Sequence, residues 1–380
     1  MRCGILVVAC GMLLAGCQCG HLMEGGMMEG KFSEGKAAVA DPAAQEYPAP
    51  VEGDYVVKGY RFKAGGDAMD VRMHYRTFGT LRKDASGRAT NAVLIMHGTG
   101  GSSAGFLVPN FAGQLFGKGQ LLDAQKYFII LTDSVGHGKS TKPSDGLKAK
   151  FPKYGYNDAV ALQHAVLTEG LGVNHLRLVM GTSMGGMHTW VWAETYPEFM
   201  DAAMPLASLP DQISGRNRVW RKTIIDAIRN DAGYMDGNYT KQPAAVTTDL
   251  MISYFMAENP ARRYQQGPTW DAADKEVQAY IDKRLPTTDA NDEVYTLESS
   301  RDYDPAPGLG KITCPLLAIN FADDLINPND LPILRNNIVK VKNGRAVVIA
   351  ESPQTRGHQT HTWPAVYHEY FAAFLKATEK

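Results

Sequence analysis

Six short apolar runs, each unbroken by alternation, constrain this chain more than any other feature. They occupy residues 91–96, 127–131, 176–180, 202–206, 315–320 and 346–349. A strand wetted on one face alternates polar and apolar residues, whereas a strand covered on both faces need not. Between the runs, residues 156–169 and 184–194 carry apolar side chains at three- and four-residue spacing, and 363–377 closes the chain in the same way. Strands alternating with helices predict an α/β fold, a mostly parallel sheet flanked by helices with right-handed crossovers. Residues 55–62 and 69–78 alternate bulky and polar residues, as a two-stranded antiparallel entry would.

One segment breaks the alternation. Residues 208–304 contain no convincing buried strand, and helical patterns fall at 219–230, 246–258, 271–284 and 291–299. An insertion of this kind between two core strands is expected to form a helical cap. It would lie over the C-terminal edge of the sheet, where open α/β sheets place their sites. The core is then 53–207 together with 305–380.

The N-terminus has a different character. Arg2 precedes the apolar residues Ile5 to Ala9 and Met12 to Leu14, a run too short to span a bilayer stably. It ends in Leu14-Ala15-Gly16-Cys17, which resembles the bacterial lipobox, where cleavage before the cysteine is followed by acylation of its thiol. Residues 1–16 are therefore expected to be a lipoprotein signal peptide and Cys17 the lipidation site. Export and anchoring to the periplasmic or outer face of a bacterial membrane would follow. Residues 17–52, rich in Gly, Ala, Pro and Glu without periodicity, read as a flexible tether. With Cys3 and Cys10 removed and Cys17 lipidated, Cys19 and Cys314 remain, which is no disulfide framework.

The chemistry is concentrated around one of the apolar runs. Residues 176–180 lead directly into Gly181-Thr182-Ser183-Met184-Gly185-Gly186, followed by a helical pattern. A G-x-S-x-G at a strand-to-helix turn exposes the serine, and glycine neighbours allow the turn to pass close to sheet and helix. An exposed serine is inert without a base and an acid to orient it, and in this arrangement the order is serine, acid, histidine. Asp323 and Asp324 both lie just past residues 315–320, and the residues alone separate them poorly. His358 follows the last predicted strand, with His361 and His368 nearby. An oxyanion hole needs two backbone donors. Met184, after the serine, is the candidate for one, and Thr99, in the loop His97-Gly98-Thr99-Gly100-Gly101, for the other.

Two other patterns fail. Gly138-Lys139-Ser140 resembles the end of a phosphate-binding loop, but Asp133 stands where that loop requires glycine. No G-x-G-x-x-G can be completed from Gly98, because Ser103 takes the last position. A formal net charge of −1 and the lack of a basic cluster argue against nucleic acid as a partner. Neither a CxxC pair nor an HExxH motif supplies a metal site, and no cofactor is expected.

Taken together, these residues resemble the α/β-hydrolase fold. The segment 133–140 (DSVGHGKS) is similar to one found after the fourth strand in many of its members. Residues 181–187 (GTSMGGM), with Trp192-Ala193 and Tyr196-Pro197, resemble the homoserine O-acetyltransferase branch. Asp323-Asp324-Leu325-Ile326-Asn327-Pro328 is similar to that branch's acid loop and aligns Asp323 with the triad acid. The resemblance also implies that Arg221, early in the cap, binds a substrate carboxylate. The branch usually places aspartate after the catalytic histidine, facing the substrate amino group, where this chain has the neutral Gln359.

The expectation is a hydrolase of small acyl esters or related carbonyl compounds, built on an acetyltransferase-like scaffold. Ser183 would be the nucleophile, His358 the base and Asp323 its orienter. An O-acyltransferase is the alternative, and a binding lipoprotein that retains the fold is a third reading. The partners expected are a small acyl substrate and the membrane surface, with pairing to a second copy left open.

Overall fold

The structure, a computed structural model, describes residues 31–37, 43–44 and 46–379. The signal segment, Cys17 and much of the tether lie outside the described residues. Nine strands form one sheet: β1 (Phe32–Gly35), β2 (Val51–Tyr60), β3 (Met69–Phe78), β4 (Ala92–Met96), β5 (Phe128–Thr132), β6 (Leu178–Thr182), β7 (Ala203–Leu206), β8 (Leu316–Phe321) and β9 (Gly344–Ile349). Their spatial order is β1-β9-β8-β7-β6-β4-β5-β3-β2. Every pair from β1 to β5 in that order is parallel, and β5–β3 and β3–β2 are antiparallel.

The unbroken apolar runs have the physical cause anticipated for them. All residues of β4, β6, β7 and β8 are buried. Their side chains point alternately into two apolar layers, as strand geometry requires. Leu94, Met96 and Val179 pack with Leu162, Trp190 and Trp192 on one face. Val93, Ile95, Leu178 and Met180 pack with Tyr367 and Phe371 on the other. The helices supplying those layers include α2 (Tyr156–Ala165) and α3 (Met184–Thr195), with the single turn α1 (Ala112–Leu115) between β4 and β5.

Between β7 and β8 lie α4 (Gly215–Asn230), α5 (Ala245–Ala257), α6 (Pro260–Gln266), α7 (Trp270–Arg284) and α8 (Ala290–Glu298). The chain ends with α9 (Ile333–Ile338), before β9, and α10 (Pro364–Ala377) after it. The cap has a small core of its own, in which Ile224, Ile225 and Ile228 of α4 meet Val246, Val294 and Leu297. It is tied to the α/β core by hydrogen bonds. Ser144 donates its N–H and hydroxyl to Asp292 at 2.9 and 2.7 Å, and Asp302 accepts the N–H groups of Tyr156 and Asn157.

Part of the expected tether is not free. Within residues 17–52, Phe32–Gly35 pairs in parallel with β9 and forms the sheet edge. Lys31 Nζ donates to the carbonyls of Val339 and Val341, and the Lys36 N–H donates to the Tyr370 hydroxyl. The physical reason is the exposed edge that β9 would otherwise present, whose backbone groups are satisfied by a partner four residues long through main-chain pairing alone. β2 likewise begins at Val51, inside the expected tether.

Candidate active site

The sheet changes direction of progression at β4, with β5 on one side and β6 on the other. A crevice at such a switch point collects the loops after the strands. Ser183 follows β6 and His97 to Ser102 follow β4, so the two loops meet here.

Ser183 stands between β6 and α3 with φ +56° and ψ −113°, a strained conformation for a residue with a side chain. The flanking glycines are required by contact. A Cβ on Gly181 would lie 2.2 Å from the Gly185 carbonyl oxygen, and one on Gly185 would lie 2.0 Å from that of Met96. The sharp turn holds the hydroxyl at the crevice floor, where Ser183 Oγ–H donates to His358 Nε2 at 2.8 Å.

His358 Nδ1–H donates to Asp324 Oδ2 at 2.7 Å, which assigns the tautomer that leaves Nε2 free to accept. Asp324 Oδ1 accepts the N–H groups of Ile326 and Asn327 at 2.8 and 3.0 Å. Burial works to raise the Asp324 pKa, but His358 and these two N–H groups together hold it below the ordinary carboxylate value. The expected acid, Asp323, is displaced from this role. Its Oδ2 instead accepts the Gly357 N–H at 2.9 Å and Asn259 Nδ2–H at 2.7 Å. Two consecutive residues in the turn after β8 send their carboxylates in different directions, and the second points at His358.

The loop after β4 crosses directly over the serine. A Cβ on Gly98 would come within 3.2 Å of Ser183 Cβ. Its shape is set from below by Asp133, which accepts the Ser103 N–H at 2.6 Å, the Ser103 hydroxyl, and the Lys139 N–H at 2.8 Å. His97 donates Nδ1–H to the Gly98 carbonyl and accepts the Ser134 N–H at Nε2. Burial lowers the pKa of this imidazole. The segment 133–140 thus serves as a brace for the glycine loop. Met184 begins α3, where the first N–H groups have no partner inside the helix.

These residues open onto a cavity of about 330 Å³ between core and cap, lined by Thr99, Ser183, His358, Gln359 and His361 below and by Trp220, Arg221, Asp249, Tyr280, Arg284 and Glu293 above. Arg221 and Gln359 therefore share one pocket with Ser183. Arg221 is buried; its Nε–H donates to Asn217 and an Nη1–H to Ser300, and among the described residues no carboxylate pairs with it. Arg284 reaches down from α7 to the Gly100 carbonyl. Burial pushes Asp249 up to about 6, despite the Ser253 hydroxyl and Arg284. Burial also raises Glu293 well above the usual carboxylate range, and the Asp249 charge adds to this. A larger cavity of about 780 Å³ opens beyond α8 between Tyr154, Asn157, Arg229 and Tyr295, and its lining includes none of Ser183, His358 and Asp324.

Sequence reasoning missed Asp249, Arg284, Glu293 and Asn259. The first three carry no local motif and depend on how the cap helices pack. Asn259-Pro260 is a helix-start signal that could have located α6.

Comparison with known proteins agrees with this architecture. Residues 91–349 match the family described as alpha/beta hydrolase fold. The chain is 29% identical over 298 residues to a homoserine O-acetyltransferase of Trichormus variabilis (strain ATCC 29413 / PCC 7937), covering 71% of this chain and 79% of the relative. A crystal structure of homoserine O-acetyltransferase from Bacillus anthracis superposes with TM-score 0.74 at 22% identity, over 86% of this chain and 98% of that one. That of esterase E22 superposes with TM-score 0.75 at 19% identity, over 86% and 100%. At these identities the two superpositions describe a shared fold.

Proposed function

This chain belongs to the alpha/beta hydrolase fold family, and we propose that it is a serine-nucleophile hydrolase of small acyl esters or related carbonyl compounds, working through an acyl-enzyme. The observation that carries this reading is the continuous Ser183–His358–Asp324 relay, with contacts of 2.8 and 2.7 Å, at the floor of the capped pocket.

In this mechanism Ser183 Oγ attacks the acyl carbonyl as its proton passes to His358 Nε2. The Nδ1–H bond to Asp324 stabilises the resulting imidazolium. The carbonyl oxygen becomes an oxyanion between the Thr99 and Met184 N–H groups, and one such donor is worth about 3 kcal/mol in the transition state. Collapse breaks the ester C–O bond, the leaving alkoxide takes the proton from Nε2, and Ser183 remains acylated. Water then repeats the sequence: Nε2 takes its proton, the hydroxide adds to the acyl carbon, and Ser183 leaves with the proton.

A second reading, O-acyl transfer to a hydroxyl acceptor, is favoured by one observation. Arg221 is a buried cation facing the pocket with no carboxylate partner among the described residues, an arrangement suited to a carboxylate-bearing substrate. Against it stands Gln359, which offers an ammonium group no charge. Incubating the protein with p-nitrophenyl acetate and L-homoserine distinguishes the two. Free acetate alone, lost in Ser183→Ala, supports hydrolysis, and substantial O-acetylhomoserine makes transfer the activity.

The same reading has the enzyme exported and held at a membrane through Cys17, supported by the lipobox-like residues 14–17. Among the described residues no helix is long and apolar enough to cross a membrane. Release of Cys17→Ser from the membrane fraction is the expected result, and retention of that variant would remove this part of the proposal.

A further inference from the structure

The His358 contact expected of Asp323 belongs to Asp324, yet the Asp323 carboxylate sits where the turn after β8, the cap and the segment preceding His358 meet. Oδ2 accepts the Gly357 N–H, immediately before His358, at 2.9 Å. The same oxygen accepts Asn259 Nδ2–H at 2.7 Å, and Asn259 stands in the cap at the start of α6. Asn259 is buried, and both its amide nitrogen and its amide oxygen are hydrogen-bonded. Nδ2 also reaches the Thr355 carbonyl at 3.3 Å, and Oδ1 accepts the Arg262 N–H at 2.7 Å. Two acceptors on one side and a donor on the other leave the amide a single orientation.

The backbones are as close as the side chains. Gly357 has φ +57°, and a Cβ there would lie 2.8 Å from Asn259 N and 2.9 Å from Glu258 C. The cap therefore rests directly on the segment that carries the histidine. The other Asp323 oxygen, Oδ1, is buried and has no hydrogen bond. Removing the Asn259 donor would leave a buried carboxylate short of a second partner. Such a group turns toward other donors rather than remain unpaired, and it would draw the Gly357 N–H with it.

We propose that Asn259 is a positioning residue: through Asp323 it ties the docked cap to the backbone preceding His358, and so holds the imidazole in line between Asp324 and Ser183. The proposal rests on the reading of His358 as the base. It makes the cap part of the catalytic geometry as well as the roof of the pocket. A displacement of about 1 Å in a reacting group costs on the order of 100-fold in rate.

The test compares the full chain with two variants. Asn259→Ser keeps an oxygen to cap α6 but loses the amide donor. Asp323→Asn keeps a carbonyl oxygen where the Gly357 N–H and the Asn259 Nδ2–H converge on Oδ2. Two readouts are taken: the far-downfield proton resonance of the His358 Nδ1–H, which needs no substrate, and the rate at which a fluorophosphonate labels Ser183. In Asn259→Ser the resonance should broaden into solvent exchange and labelling should slow between about tenfold and 100-fold. Wherever an ester is turned over, KM should stay within about twofold while kcat falls by the same factor in Asn259→Ser, and Asp323→Asn should keep the resonance and a labelling rate near that of the native protein. A wild-type resonance and labelling rate in Asn259→Ser would overturn the proposal, as would an Asp323→Asn variant that melts as the native protein does yet lacks the resonance. If Ser183 of the native protein takes no label, the hydrolase reading fails on its own, and the resonance alone decides whether Asn259 positions His358.

Discussion

Asp324 Oδ2 lies 2.7 Å from His358 Nδ1, while the adjacent Asp323 turns to Gly357 and Asn259. The two carboxylates are neighbours in the chain and differ completely in what they touch. Asp324→Asn should lower kcat for p-nitrophenyl acetate on the order of 10⁴-fold, because an amide there favours the wrong imidazole tautomer. Asp323→Asn keeps an oxygen for Gly357 and should cost at least tenfold less. Steady-state kinetics of the two variants side by side checks the assignment.

Arg221 should select for a carboxylate on the substrate. Arg221→Lys keeps the charge but loses the planar fork, and hydrogen bonds to charged groups are worth roughly 1.5–3 kcal/mol. Inhibition by small carboxylates should weaken by roughly tenfold to 100-fold in this variant, with kcat on a neutral ester changed little. Equal inhibition of both proteins would remove Arg221 from the binding site.

The buried histidines should each contribute less stability as pH drops below about 6.5, the ordinary histidine value. His97, His137, His188 and His361 are all buried, and burial lowers each, His137 to about 3. A histidine depressed in the folded state binds its proton only after unfolding, so its contribution is intact above the unfolded pKa and is lost as pH falls through it. Glu194, raised by burial to about 7, and Asp249 and Asp292, raised to about 6, act in the opposite sense, since their folded forms gain protons first. These acids, with Glu293 raised well above the usual range, oppose the histidines down to about pH 4, the ordinary carboxylate value, because only their folded forms hold the proton there, so the histidine contribution is read by difference. Thermal melts of the native protein and His188→Gln between pH 8 and 5 should therefore diverge on the acid side, the native midpoint falling relative to that of the variant as pH drops below about 6.5.

The nucleophile turn tolerates no side chain at Gly185. The 2.0 Å approach of a Cβ to the Met96 carbonyl would force strand and helix apart. Gly185→Ala should lose roughly 3 kcal/mol or more in urea unfolding. A change below about 0.5 kcal/mol would mean that the turn can relax.

What the sequence made legible follows from how local each signal is. Residues 91–96 and 315–320 announce β4 and β8 because burial on both faces demands an unbroken apolar run. The contact of Ser183 with His358 was legible from a turn motif and from their place in the strand order. The acid was not, because in the turn after β8 a single residue of offset decides which carboxylate meets the imidazole, and the motif resemblance aligned the wrong one. Phe32–Gly35 escaped notice because a four-residue edge strand needs only backbone groups to pair. Asp249 and Glu293 reach the pocket through helix packing in the cap, which leaves no mark at either position.

The most direct test of the account is to quench the reaction with p-nitrophenyl acetate during its first turnover and map the acetyl group by peptide mass. The account predicts a burst of p-nitrophenol matched by one acetyl group on the peptide containing Ser183, absent in Ser183→Ala. Undiminished ester hydrolysis by Ser183→Ala, with no acetylated peptide at any time, would contradict it.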